Sequence, residues 1–173
     1  MVGRMKICLV GPMGSGKSTI GNRLAQRLGL RFEDSDREIE RRTGVDIPLI
    51  FETEGEDGFR KRETKAIQEL VESAEDMVLA TGGGAVIKQT NRRNLIKNTT
   101  VIYLKTSVEQ QMERTKKDKS RPLLQTEDPL QKLKDLFEQR APLYEEVADI
   151  VVSTDNAGIE SVLKEIETKL EII

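Results

Sequence analysis

Short apolar runs alternate along the chain with longer amphipathic stretches. Ile7-Cys8-Leu9-Val10 and Met77-Val78-Leu79-Ala80 are continuous apolar runs, without the alternation of a half-solvated strand. Such runs fit strands buried on both faces, as in a parallel sheet. After the first run, Ile20, Leu24 and Leu28 recur at helical spacing. The pattern predicts strands at 6–10, 31–33, 77–80, 100–104 and 149–152. It predicts helices at 17–28, 35–43, 47–53, 57–73, 90–97, 107–115, 129–140 and 159–170, with Pro142 ending or kinking the last but one. Strand–helix alternation of this kind predicts a three-layer α/β/α sandwich around a central five-stranded parallel sheet. Two stretches interrupt it: several helices crowd into 34–75, and 115–124 reads as an exposed basic loop. No repeat or long linker divides residues 1–173, so one domain is expected.

Between the first strand and first helix lies Gly11-Pro12-Met13-Gly14-Ser15-Gly16-Lys17-Ser18. It matches the phosphate-loop pattern G-x-x-x-x-G-K-[ST]. Glycines let the backbone turn tightly and gather N–H groups into a nest for phosphates, at the N-terminus of a helix. Lys17 is expected to reach the terminal phosphates and the Ser18 hydroxyl to ligate Mg²⁺. This stretch predicts a nucleotide-binding site.

Composition narrows the remaining chemistry. The chain has no His, so His-based catalysis and His metal sites are excluded. The single cysteine, Cys8, falls in the first strand and reads as a small core residue. One cysteine permits no disulfide framework within the chain, and no segment is long enough to span a membrane, so a cytoplasmic protein is expected. A net charge of −2 with no Trp, four Phe and two Tyr argues against nucleic acid or an anionic membrane as partner.

Four further segments carry candidate chemistry. Asp34 and Asp36 follow the second strand, where carboxyl ends of strands face the ligand crevice. They suit metal or hydroxyl recognition and helix N-capping equally well, and the two roles are compatible. Arg60 and Glu63 are helical neighbours. By themselves they read as an exposed ion pair rather than a clamp with its orienting partner. Gly82-Gly83-Gly84 closes the third strand and allows close backbone approach to a ligand. The basic run from Arg114 to Arg121 reads as a solvated loop or as a lid, and a lid would deliver Arg121 to a transferred phosphate. Arg140, taken alone, reads as a surface residue.

Together these segments resemble shikimate kinase, a small phosphate-loop enzyme of the nucleoside-monophosphate-kinase structural class. The resemblance covers nearly the whole chain and rests on Gly11–Ser18, Asp34-Ser35-Asp36, Gly58-Phe59-Arg60, Ala80-Thr81-Gly82-Gly83-Gly84, Arg121-Pro122-Leu123-Leu124 and Arg140-Ala141-Pro142-Leu143-Tyr144. It implies transfer of the γ-phosphate of ATP to the 3-hydroxyl of shikimate, on the route to chorismate and the aromatic amino acids. It implies ATP contacts from Gly14, Ser15, Gly16, Lys17, Ser18, Thr19, Arg114 and Arg121, with Arg114 near the adenine. Shikimate would be held by Asp36, Arg60, Gly83 and Arg140, with Glu63 orienting Arg60. Ser18 and Asp34 fall on the Mg²⁺ side, Asp34 directly or through water. The catalytic set would be Lys17, Asp34 and Arg121, with Asp34 either a metal-side residue or a base for the attacking hydroxyl. The region 34–75 would bind the second substrate and 115–124 would be the lid. The resemblance also implies a monomer. Ser153–Gly158 would pass the adenine, where some members carry an Arg or Pro absent here.

The rival readings are another small-molecule kinase of this scaffold, for gluconate or a nucleoside monophosphate, and a non-catalytic ATP-binding regulator. The absence of His disfavours a gluconate kinase. The complete transfer set disfavours a regulator.

Overall fold

The computed structural model describes residues 5–116 and 124–172. Five strands form one parallel sheet: β1 (Lys6–Val10), β2 (Arg31–Asp34), β3 (Met77–Ala80), β4 (Thr100–Lys105) and β5 (Ile150–Ser153), in the order β2-β3-β1-β4-β5. β1 sits at the centre: Ile7 pairs with Val78 on one side and Thr100 on the other. The helices are α1 (Lys17–Leu28), α2 (Ser35–Thr43), α3 (Ile47–Glu72), α4 (Gln89–Asn98), α5 (Val108–Thr115), α6 (Pro129–Val147) and α7 (Ile159–Ile172).

The alternation of Cβ directions along β1 sorts the core into two layers. Ile7 and Leu9 pack with Ile20 and Leu24 of α1 and with Val162, Leu163 and Ile166 of α7. Cys8 and Val10 face the other way, toward Ile67 and Val71 of α3, Leu95 of α4, and Tyr144 and Val147 of α6. Both sheet faces are therefore covered by helices, which explains the uninterrupted apolar runs. Cys8 is a core residue, fully buried, and burial pushes its thiol up to about 12. It is no nucleophile at neutral pH.

Because every strand runs the same way, the carboxyl ends of β1, β2 and β3 lie on one edge and open toward one crevice. The phosphate loop, Asp34 and the glycines after Ala80 are delivered there together.

Two elements differ from the sequence expectation. The helices expected at 47–53 and 57–73 are the two arms of α3, which is interrupted only at Gly55 (φ 73, ψ 178). Gly55 adopts the positive φ at no steric cost because it has no Cβ to clash with its own backbone. Pro142, in turn, does not end α6, which continues to Val147. Proline removes one helix hydrogen bond and crowds the preceding turn, at about 3 kcal/mol or more. Burial of Tyr144 and Val147 beyond it offsets that cost.

Candidate active site

The phosphate loop is built by its backbone. Gly14 and Gly16 hold φ of 83° and 91°, and Gly16 caps α1 in the left-handed conformation. α1 carries no side-chain cap, whereas Asp34, Ser107 and Asp128 cap α2, α5 and α6. The amides at the start of α1 are thus left to an anion, which the helix dipole also favours. Lys17 Nζ donates to the carbonyls of Gly11 at 2.7 Å and Pro12 at 2.9 Å, and to Ser15 Oγ at 3.4 Å.

Asp34 does two jobs. Its Oδ1 accepts from the amides of Asp36 and Arg37, at 3.0 and 3.3 Å, and so caps α2. Its Oδ2 accepts from Ser18 Oγ at 2.7 Å. The cap therefore leaves Oδ2 available beside the phosphate loop, so capping does not preclude a part in the site. This hydroxyl–carboxylate pair offers hard oxygen donors beside the phosphate loop. Among the described residues no group of three or more His, Cys, Asp or Glu side chains gathers to hold a metal. The pair fits Mg²⁺, which is bound through one or two protein oxygens and takes its other ligands from water and phosphate.

A cleft of about 510 Å³ adjoins this pair and is lined by Asp36, Phe51, Phe59, Arg60, Gly83 and Arg140, among others. Here the expectations drawn from spacing alone need correcting. Arg60 and Glu63 are not a solvated pair: Arg60 is 5 % exposed and Glu63 fully buried, with Arg60 Nη1 donating to Glu63 Oε1 at 2.8 Å. Arg140 is not on the surface either; it is 3 % exposed. Helical spacing reports neighbours but not which face meets the core. Burial lowers the Arg60 pKa, but the Glu63 and Glu56 carboxylates more than offset this, and Arg60 is held above the ordinary arginine value. Burial pushes the Glu63 carboxyl up, against the pull of Arg60 and Arg140. Arg140 itself is lowered by burial and by the nearby Arg60 charge. Two buried guanidiniums lining one cleft suit an anionic ligand.

The glycine loop lies between these side chains. A Cβ on Gly82 would come within 2.8 Å of Asp36 Oδ1 and 3.1 Å of Glu63 Oε2, and one on Gly84 would overlap the Arg60 guanidinium. Only glycine admits this approach. A third hollow, bounded by Lys17, Ser18, Asp34, Thr81 and Gly83, joins the cleft to a cavity of about 280 Å³ between Gly14, Arg114, Thr154 and Gly158. Arg114 donates to the Gly14 carbonyl at 3.0 Å and the Thr154 carbonyl at 2.8 Å, bridging the phosphate loop to the segment after β5. The path from Arg114 to Arg140 is a continuous groove along the strand ends.

Residues 13–171 match the family model described as shikimate kinase. The chain belongs to the shikimate kinase family. A shikimate kinase from Histophilus somni is 58 % identical over 90 % of this chain and 89 % of its own. One from Alteromonas mediterranea is 53 % identical over 98 % and 99 %. A solved structure, a shikimate kinase from Acinetobacter baumannii in complex with shikimate, superposes with a TM-score of 0.95 at 50 % identity, covering 98 % of this chain and 94 % of that one. The family's activity is that of the chain: shikimate kinase, an ATP-dependent phosphotransferase.

Within this shikimate kinase, Gly14, Ser15, Gly16, Lys17, Ser18, Thr19 and Arg114 line the loop end of the groove, and Asp36, Arg60, Gly83 and Arg140 line the cleft. Arg121 and most of the expected lid, residues 117–123, lie outside the described residues. Sequence reasoning assigned no individual part to the cleft walls Met13, Phe51 and Phe59, or to Tyr144, whose hydroxyl donates to the Gly83 carbonyl at 2.6 Å. Phe59 had a signal, since it directly precedes Arg60. Tyr144 stands one helical turn beyond Arg140 and closes the segment Arg140–Tyr144 that carries part of the resemblance, but neither signal gave it a role. Among the described residues no helix is long and apolar enough to cross a membrane.

Proposed function

We propose that the chain transfers the γ-phosphate of ATP to the 3-hydroxyl of shikimate, with the cleft as the shikimate site and the loop end as the ATP site. The observation that carries this reading is the pair of buried guanidiniums, Arg60 and Arg140, facing one cleft together with the Asp36 carboxylate. Shikimate offers one carboxylate and several hydroxyls, the complement of that set. Gly83 supplies the close backbone surface, and Glu63 holds Arg60 in place.

At the loop end, the amides of the phosphate loop and Lys17 receive the phosphates, and Arg114 lies against the adenine. Arg121 is assigned to the transferring phosphate on the resemblance. Ser18 and Asp34 would hold Mg²⁺, which when bound neutralises charge on the phosphate oxygens. Asp34 is read as a metal-side residue rather than as the base. Its Oδ1 is committed to the α2 cap, and its Oδ2 faces the Ser18 hydroxyl. Catalysis then rests on alignment of the two substrates along the groove and on the charges of Lys17 and Arg121.

The test is ADP release from ATP and Mg²⁺ with shikimate, beside gluconate, nucleoside monophosphates and no acceptor. Shikimate-dependent release, lost in Lys17→Ala, is expected. Turnover with another acceptor alone would overturn the substrate, and ATP binding without turnover would favour a regulator.

A further inference from the structure

Among the described residues, Tyr144 is the longest-range hydrogen-bond donor to the glycine loop. Its hydroxyl donates to the Gly83 carbonyl at 2.6 Å across 61 residues of chain. The side chain is 1 % exposed and its ring packs on Tyr103, with centroids 5.1 Å apart. Burial raises the phenol above its ordinary value, so it stays protonated and a donor throughout the neutral range.

The bond joins parts that matter to the cleft. Tyr144 and Arg140 stand one turn apart on α6, and Gly83 lies 3.5 Å, counted from where its Cβ would be, from Arg140 Nη1. On the other side of the loop, Gly82 abuts Asp36 and Glu63, and Gly84 abuts Arg60. No peptide in the described chain is cis, so fixing the Gly83 carbonyl fixes the Gly84 amide on the opposite side of one rigid plane. The turn that follows, Ala85–Ile87, is tied to α4 by Asn91 Nδ2 on the Ala85 carbonyl, at 2.9 Å, and by Arg92 on those of Val86 and Ile87, at 2.7 and 2.9 Å. Gly82 to Gly84 has no side chains with which to hold itself. Its free rotations are restrained from α6 by the phenol alone among the described side-chain donors.

We propose that Tyr144 is a positioning residue for the second substrate: its hydroxyl fixes the Gly83 carbonyl, and with it the glycine loop against which Asp36, Arg60 and Arg140 are set. This rests on the cleft being the shikimate site. Without the bond the loop samples several peptide orientations, and shikimate binds only the fraction that is correctly set. The nucleotide end, whose loop is held by other bonds, is unaffected.

The experiment is Tyr144→Phe, which keeps the ring and its packing, beside Tyr103→Phe. Tyr103 is an internal control, because its buried hydroxyl has no hydrogen-bond partner among the described residues. Full kinetics are measured against both substrates, with melting temperatures for both variants. Y144F is expected to raise KM for shikimate roughly five- to tenfold, the loss of one buried hydrogen bond, with KM for ATP and kcat within about twofold. Y103F should match the wild type. Unchanged shikimate KM in Y144F, an equal rise in both KM values, or a Y144F protein that fails to fold while Y103F folds would overturn the proposal and leave the phenol a core residue. Failure of the underlying reading looks different: the wild type would then show no shikimate-dependent turnover.

Discussion

The two ends of the groove are made in opposite ways. The phosphate-loop end is built chiefly on one continuous stretch, Gly11–Ser18, joined by Arg114 and Thr154, and its chemistry is mainly backbone: uncapped amides at the start of α1 and glycines at positive φ. The cleft end is assembled from α2, α3, the loop after β3, and α6, and its chemistry is charged side chains withdrawn from water. A backbone nest costs little to desolvate and serves any polyphosphate. Buried guanidiniums are expensive and are kept only where carboxylates and a fitted anion stabilise them. Generality sits at one end of the site and selectivity at the other.

The sharpest way to break this comparison is to disturb one charge at each end. Glu63→Ala leaves buried Arg60 with only the half-exposed Glu56 as partner, and removing one partner of a buried pair costs up to about 3–5 kcal/mol. Denaturant unfolding should register that loss. Lys17→Ala sits on the other side of the contrast. It gives up hydrogen bonds to loop carbonyls at a stability cost of about 1 kcal/mol, yet kcat should fall on the order of 10²–10³-fold. If E63A proved as stable as K17A, the cleft would not be the costly end.

These two residues also mark what the sequence could tell. The phosphate loop was legible because strand, glycines, Lys17 and helix are contiguous, and the fold was legible because both faces of β1 are apolar. Arg60, Glu63 and Arg140 read as surface residues in isolation. Their burial depends on how α3 and α6 lie on the sheet, which no local spacing encodes. The resemblance to a family supplied their roles where physical reading could not. α6 was cut short at Pro142 for a related reason: local propensity is overridden by the burial of Tyr144 and Val147 further along.

Smaller effects refine the contrast. Asp36→Ala should lower kcat/KM for shikimate roughly ten- to hundredfold, the loss of charge-assisted hydrogen bonds, with KM for ATP within about twofold. Equal losses toward both substrates would mean that the two ends are not separable. The smallest effect is acidic. Hydrogen bonds from Arg41 and then Arg42, working against partial burial, hold Glu38 on α2 at about 2. A carboxyl depressed in the folded state adds stability above its unfolded value and loses it as pH falls through about 2. Glu38→Gln should therefore be less stable than the wild type at neutral pH, by less than about 1 kcal/mol, and indistinguishable from it below pH 2. A gap that persisted there would assign the difference to packing.

The central place of β1 has a consequence for how the protein is made. Of the five strands β1 is translated first, yet its neighbours on either side, β3 and β4, are translated much later. A nascent chain thus carries an apolar strand with both edges unpaired until β3 has left the ribosome, and with one edge unpaired until β4 follows. Such edges invite pairing with other chains. The phosphate loop is the first part of the site to be synthesised, yet Gly11 and Gly14 pack against Leu104 and Gln111, which come much later. Nucleotide binding is then expected to follow the pairing of β1 with β4 rather than to guide it.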